Sequence, residues 1–151
     1  MQKKAPPSLE PMDCNCQAIR QAARHISQIY DNHLAGENLT TSQFSILSKL
    51  NRLGPLTINE LAKLMVMDRT TLGRAVRPLE RDRLLTTIPD DDARKRRLKL
   101  TPTGEARQKA AAARWRDAQK EFEIAFGADE AASLRGILKR VIATAPEDAA
   151  R

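Results

Sequence analysis

The sequence predicts a mainly α-helical fold with a small β-wing, built as a helix-turn-helix, a hairpin and longer helices at both ends of the chain. Three observations predict it. Residues 57–81 hold two short helical apolar patterns separated by a brief turn. Residues 84–100 hold two apolar, partly β-branched runs around a polar tip. The flanking stretches carry long apolar seams at helical spacing, more than a small module needs for its own core.

The elements follow in order. A first helix is expected from near Asp13 to about Leu34, with Cys16, Ile19, Ala23, Ile26, Tyr30 and Leu34 along one seam. Gly36 to Thr41 reads as a loop. A second helix over about 42–53 places Phe44, Leu47 and Leu50 on one face, and Gly54-Pro55 ends it. Thr57-Ile58-Asn59-Glu60 is a capping box, in which the Thr hydroxyl takes the N3 amide and the Glu carboxylate returns to the Thr amide. It opens a short helix through Ile58, Leu61, Ala62 and Met65. Val66-Met67 make the turn and Asp68 caps the next helix. Leu84 to Ile88 and Arg97 to Leu100 read as the two strands of a wing, with Pro89 to Lys95 at its tip. Thr101-Pro102 suits the N-cap and first position of a long helix over 102–126. Gly127 breaks that helix. Asp129 is expected to cap a last one carrying Leu134, Ile137, Leu138, Val141 and Ile142.

Residues 1–12 and 146–151 read as tails around a single protomer, 13–145. Within it, 42–101 forms the winged helix-turn-helix. The flanking 13–35 and 102–145 are expected to be dimerisation helices, because a second copy is the simplest cover for their surplus apolar face.

The 151 residues are enough for one domain with a sizeable core. Tyr30, Phe44, Trp115, Phe122 and Phe126 are the whole aromatic complement, so the core must rest on Leu, Ile, Val and Ala. The net charge is +7 and the pI about 9.8, a balance that favours a polyanionic partner. No apolar run approaches the ~20 residues of a membrane span. The polar, proline-bearing start does not resemble a signal peptide, so a cytoplasmic, reducing location is expected and no membrane partner.

The charge is not diffuse. Leu72, Val76 and Leu79 form the buried back of the second motif helix, and Thr70, Arg74, Arg77 and Arg81 then form one stripe on its front. An apolar back with an arginine front suits a DNA major groove. Arg69, Thr70, Thr71 and Arg74 lie at the end that enters the groove first. Arg can grip guanine O6 and N7, and Thr can meet a thymine methyl or a phosphate. Arg77 and Arg81 lie further along, where phosphates are the expected contact. At the hairpin tip, Arg94 is placed to enter a narrow minor groove, with Asp92 to orient it and Lys95 and Arg96 beside it. Gly73, on the same helix, either admits the DNA backbone through its small size or is an ordinary tolerated helix glycine.

These residues resemble the MarR family of bacterial winged helix-turn-helix regulators, over about residues 13–145. The resemblance lies in Leu61-Ala62, in Asp68-Arg69-Thr70-Thr71-Leu72, in Leu79-Glu80, in Asp92-x-Arg94 and in Leu98-x-Leu100-Thr101-Pro102-x-Gly104. It implies an obligate homodimer, usually a repressor. Such a dimer would bind double-stranded DNA at a pseudo-palindromic operator and release it on meeting a small, often phenolic or aromatic, effector or an oxidant. Many members have Gly where Arg83 stands, which implies that the preceding helix ends differently here. Pro78 removes one intrahelical bond and is expected to kink or tighten that helix.

For the effector, the resemblance points between the first, second and fifth helices, where Tyr30, Phe44 and Trp115 either line a pocket or are ordinary core residues. For an oxidant it points to Cys16. The chain is similar to the organic-hydroperoxide-sensing branch, whose reactive Cys matches Cys16 and whose first Tyr partner matches Tyr30. The second partner falls at Thr41. A position at a helix N-terminus favours a reactive thiolate. The alternative is a small apolar residue at the dimer seam.

Cys14 and Cys16 point about 200° apart on a helix, and with His25 and His33 they match no zinc spacing, so no metal is expected. There is no Gly-rich phosphate loop and no nucleophile–base arrangement at recognisable spacing, so no enzyme and no cofactor is expected. The competing class is a winged helix that only docks proteins, and such a module would not need an outward arginine stripe.

Overall fold

The computed structural model describes residues 14–144. The expected tails, and the helix start at Asp13, lie outside the described residues. Helix α1 spans Asn15–Leu34, with Cys14 at its N-cap position. A short 3-10 turn, Ala35–Glu37, follows and Asn38 turns left-handed. Helix α2, Thr41–Leu53, begins one residue before its expected start because Thr40 and Gln43 form a reciprocal capping box. Asp31 near the end of α1 accepts both the amide and the hydroxyl of Thr41 at 2.6 Å, which fixes the corner between the two helices.

Strand β1, Leu56–Thr57, leads directly into helix α3, Ile58–Met65. The expected capping box is formed: Glu60 N donates to Thr57 Oγ1 at 3.2 Å and Thr57 N to Glu60 Oε2 at 2.8 Å. Val66 ends α3 with φ +52°. A β-branched residue is costly in that conformation. Helix α4, Arg69–Arg81, starts on Asp68, whose carboxylate accepts the Thr71 amide at 2.8 Å. It continues through Pro78.

Arg83 corrects an expectation. The helix ends as a Gly would end it, because Arg83 itself is left-handed with φ +58°. Leu84 N then reaches Leu79 O at 2.8 Å and Arg83 N reaches Glu80 O at 3.0 Å, the two bonds of a Schellman motif.

The wing also differs from expectation. Strands β2, Leu85–Pro89, and β3, Arg96–Leu100, pair antiparallel, but β1 joins on the far side of β3 to make three strands in the order β1-β3-β2. Leu56 faces Leu98 and Thr57 faces Arg97 across the extra pair. Pro89 lies on the edge strand, where a missing amide is tolerated.

Helix α5 spans Pro102–Phe126, capped by Thr101 as expected. Helix α6, Ala128–Ala143, begins at Gly127 rather than at an Asp129 cap. Asp129 instead sits in the first turn, where its charge suits the helix dipole.

The core lies under the helix-turn-helix. Leu34, Ile46, Leu47, Leu61, Leu72, Leu79 and Leu84 are fully buried, each contributing about 1.5–3 kcal/mol relative to exposure. Ala111 and Ala118 of α5 are also buried, small residues at the positions where neighbouring elements press on that helix. Away from this core, Ile19 of α1 and Ile124, Phe126, Ile137, Leu138, Val141 and Ile142 of α5 and α6 remain exposed. Between those helices runs an apolar groove of about 640 Å³.

Candidate nucleic-acid interface and the cavity behind it

Helix α4 places its side chains as the stripe requires. Leu72, Val76 and Leu79 are buried, while Arg69, Thr70, Thr71, Arg74, Arg77 and Arg81 are exposed. The cap and the stripe interact at one point: Thr71 Oγ1 donates to Asp68 Oδ2 at 2.7 Å, so its hydroxyl proton is already engaged and Thr70 is the threonine better placed to donate outward. That bond, with the backbone amide of Thr71, holds the Asp68 carboxyl below its usual pKa. A Cβ at Gly73 would meet nothing within 4 Å, so the surface at this turn of α4 is open to an approaching backbone.

The wing stands beside the same face. Glu80 at the end of α4 accepts from Thr87 of β2 at 3.0 Å and links helix to hairpin. At the tip, Asp92 Oδ1 accepts the Arg94 amide at 3.1 Å and lies 3.4 Å from Arg94 Nε. Arg94 is thereby oriented yet 91% exposed. Lys95 Nζ is 4.0 Å from Asp92, and Arg96 is exposed. All ten expected contact residues therefore belong to two surfaces, α4 and the wing, that stand on one module.

Sequence reasoning did not single out a second group at the base of the wing. Arg97 Nε donates to Asp90 Oδ1 at 2.7 Å, and Nη1 donates to the Pro55 carbonyl at 2.9 Å. The guanidinium holds the Asp90 carboxyl below its usual pKa, and Asp90 in turn raises that of Arg97. The Thr57 amide, above all, does the same downward for Glu60. The Arg97–Pro55 contact spans 42 residues of sequence, so no local pattern signals it.

Tyr30, Phe44 and Trp115, distant in sequence, are brought together. They line a cavity of about 680 Å³ between α1, α2, α3 and α5. The Phe44 and Trp115 rings stack with centroids 6.3 Å apart and planes at 30°. The Tyr30 hydroxyl donates to Gln119 Oε1, and burial raises its pKa. Lys49, Arg52 and Arg116 also line this cavity, and none of them forms an ion pair among the described residues. The i, i+3 spacing of Lys49 and Arg52 and the adjacency of Arg116 to Trp115 were the available signals. The size is that of a small-molecule site.

Cys16 stands apart. It is exposed in the first turn of α1, as is Cys14 at its N-cap. Tyr30 lies fourteen positions further along the same helix, roughly 21 Å of rise, so the two do not meet within one protomer. His25 lies along the apolar groove, whereas His33 pairs with Glu121 at 2.6 Å.

A model of the MarR family matches residues 39–96, the segment holding the helix-turn-helix and most of the wing. The multiple antibiotic resistance protein MarR of Salmonella typhimurium is 29% identical over 117 residues, covering 76% of this chain and 81% of that protein. Among solved structures, the Mycobacterium tuberculosis transcriptional regulator MosR in complex with DNA is 32% identical. It has a TM-score of 0.75 and covers 89% of this chain and 100% of that one. A probable transcriptional regulator from Pseudomonas aeruginosa is 30% identical with a TM-score of 0.78, covering 85% of this chain and 97% of that one.

Proposed function

The chain belongs to the MarR family of winged helix-turn-helix transcriptional regulators, and on that premise we propose that it is a homodimeric repressor that reads a pseudo-palindromic operator and releases it when a small effector fills the cavity beside Trp115. The observation that carries the reading is the row of exposed guanidinium groups on α4 set against a fully apolar back. Such a helix can enter a major groove only with that face outward. Arg69, Thr70, Thr71 and Arg74 contact base edges or the nearest phosphates, Arg77 and Arg81 hold phosphates, and Arg94 enters the flanking minor groove with Asp92 orienting it and Lys95 and Arg96 adding charge. Two copies joined through α1, α5 and α6 present two such helices, about 34 Å apart, to one face of the duplex. The exposed apolar residues of those helices are the surface that the second copy covers.

The cavity supplies the switch. Its stacked aromatic wall accepts a planar ring and its three cations favour a negative charge, so the effector is an aromatic acid. It touches Leu64 of α3 as well as α1, α2 and α5, and filling it shifts the reading module against the dimer helices. The protein acts by binding, in the cytoplasm, with no catalytic step and no cofactor.

Selection of genomic fragments on the purified protein tests this. The expected result is one enriched inverted repeat with half-sites about one helical turn apart. Recovery of fragments sharing no sequence would refute operator reading.

A further inference from the structure

Resting on that reading, we infer that Arg97 is a positioning residue rather than a DNA contact, and that with Asp90 and Glu60 it sets the angle at which the wing meets the duplex. Arg97 stands in the central strand, opposite Thr57 of β1 and Ile88 of β2. Its Nε is bonded to Asp90 at the root of the hairpin tip, and its Nη1 to the Pro55 carbonyl just before β1. The same Nη1 lies 3.4 Å from Glu60 Oε2, the oxygen that accepts the Thr57 amide of the capping box. One guanidinium thus ties the tip, the turn after α2 and the start of α3.

The contrast with its neighbours is in exposure. Arg97 is 31% exposed and the Asp90 carboxylate 9%, whereas Arg94 at the tip is 91% exposed. A short hairpin has little rigidity of its own. Tip residues Asp91, Ala93, Arg94 and Lys95 are exposed, so apolar packing does not steady them. Beside the Glu80–Thr87 bond that joins α4 to β2, the polar tie at the base transmits the position of α3 to Arg94. A planar fork with fixed donor directions does this, and a lysine ammonium would not.

Asp90→Asn gives the test a sign. Charge alone predicts tighter DNA binding, because a negative group is lost from a basic face. Positioning predicts weaker operator binding by about tenfold, comparable to loss of one base contact, with affinity for unrelated duplex unchanged or slightly higher. Arg97→Lys, which keeps the charge and loses the fork, should lose operator preference to the same extent. In the Asp90→Asn background, Arg94→Ala should cost little further, since the tip is already displaced. Thermal melts and dimer mass are read alongside to show that both single variants fold. Operator binding by either variant as tight as that of the unaltered protein overturns the inference while leaving operator reading intact. Absence of any operator preference in the unaltered protein overturns both.

Discussion

Gly104 lies so close to the Leu84 carbonyl that a Cβ at this position would overlap its oxygen. Two bonds hold the approach. Thr101 N donates to Leu84 O at 3.1 Å and Thr101 Oγ1 to Arg83 O at 2.6 Å, so the first turn of α5 is fastened to the turn that ends α4. Both sides of the contact are backbone and neither can swing aside. Gly104→Ala should therefore lower stability by about 3 kcal/mol, at the upper end of overpacking costs. Denaturant unfolding at fixed protein concentration measures it, and an unchanged midpoint would contradict the close approach.

Arg83→Gly should act the other way. A left-handed non-Gly residue costs roughly 1–2 kcal/mol, part of which Gly returns as unfolded-state entropy. A gain of about 1 kcal/mol in the same unfolding measurement is expected, with a midpoint below that of the parent counting against it.

Arg74→Ala and Arg81→Ala should separate base reading from phosphate anchoring. Losing Arg74 removes about 1–3 kcal/mol of discrimination between operator and altered sites. Losing Arg81 should weaken binding to all sequences alike and reduce the slope of log affinity against log salt by about one. Titrations of both variants at several salt concentrations decide it, and the dimer should persist in each.

The cavity predicts a charge preference. Benzoate should quench or shift Trp115 fluorescence, whereas benzamide, the same shape without the charge, should bind at least about tenfold more weakly. Arg52→Ala should narrow that difference. Equal affinity for the two compounds would remove the cationic wall from the account.

Acid should loosen the helix-turn-helix through Asp68. Its carboxyl is held below the usual value of 3.8 chiefly by the Thr71 hydroxyl. A lowered folded pKa means that the contribution to stability is complete above the unfolded value and is lost as pH falls through the folded one. Asp68→Asn, still an N-cap, should flatten that part of the acid limb. A limb of unchanged steepness in pH-dependent melts would show that Asp68 plays no part.

Much of this was legible in the chain because it is local. The Thr57/Glu60 box, the Asp68 cap, the Thr101-Pro102 start and the Gly127 stop are bonded within a few residues of themselves, so their chemistry is written in adjacent letters. The arginine stripe is equally local, since helical periodicity alone puts Arg74, Arg77 and Arg81 opposite Leu72, Val76 and Leu79. Two left-handed residues, Val66 and Arg83, were not legible as such, because neither is the Gly or Asn that usually marks that conformation.

By itself, then, the sequence determined the order and type of the helices, the apolar back of α4 and the charge of its front, because each follows from periodicity and capping over a few turns. Tertiary structure decided the rest. It made a strand of Leu56–Thr57, two residues too few to show a period, by laying them against Leu98 and Arg97. It assembled Tyr30, Phe44 and Trp115 around one cavity and turned Arg97 inward to Asp90 and Pro55. In each case at least one deciding partner is tens of residues away, and only packing of the whole chain brings it within reach of a hydrogen bond or a ring face.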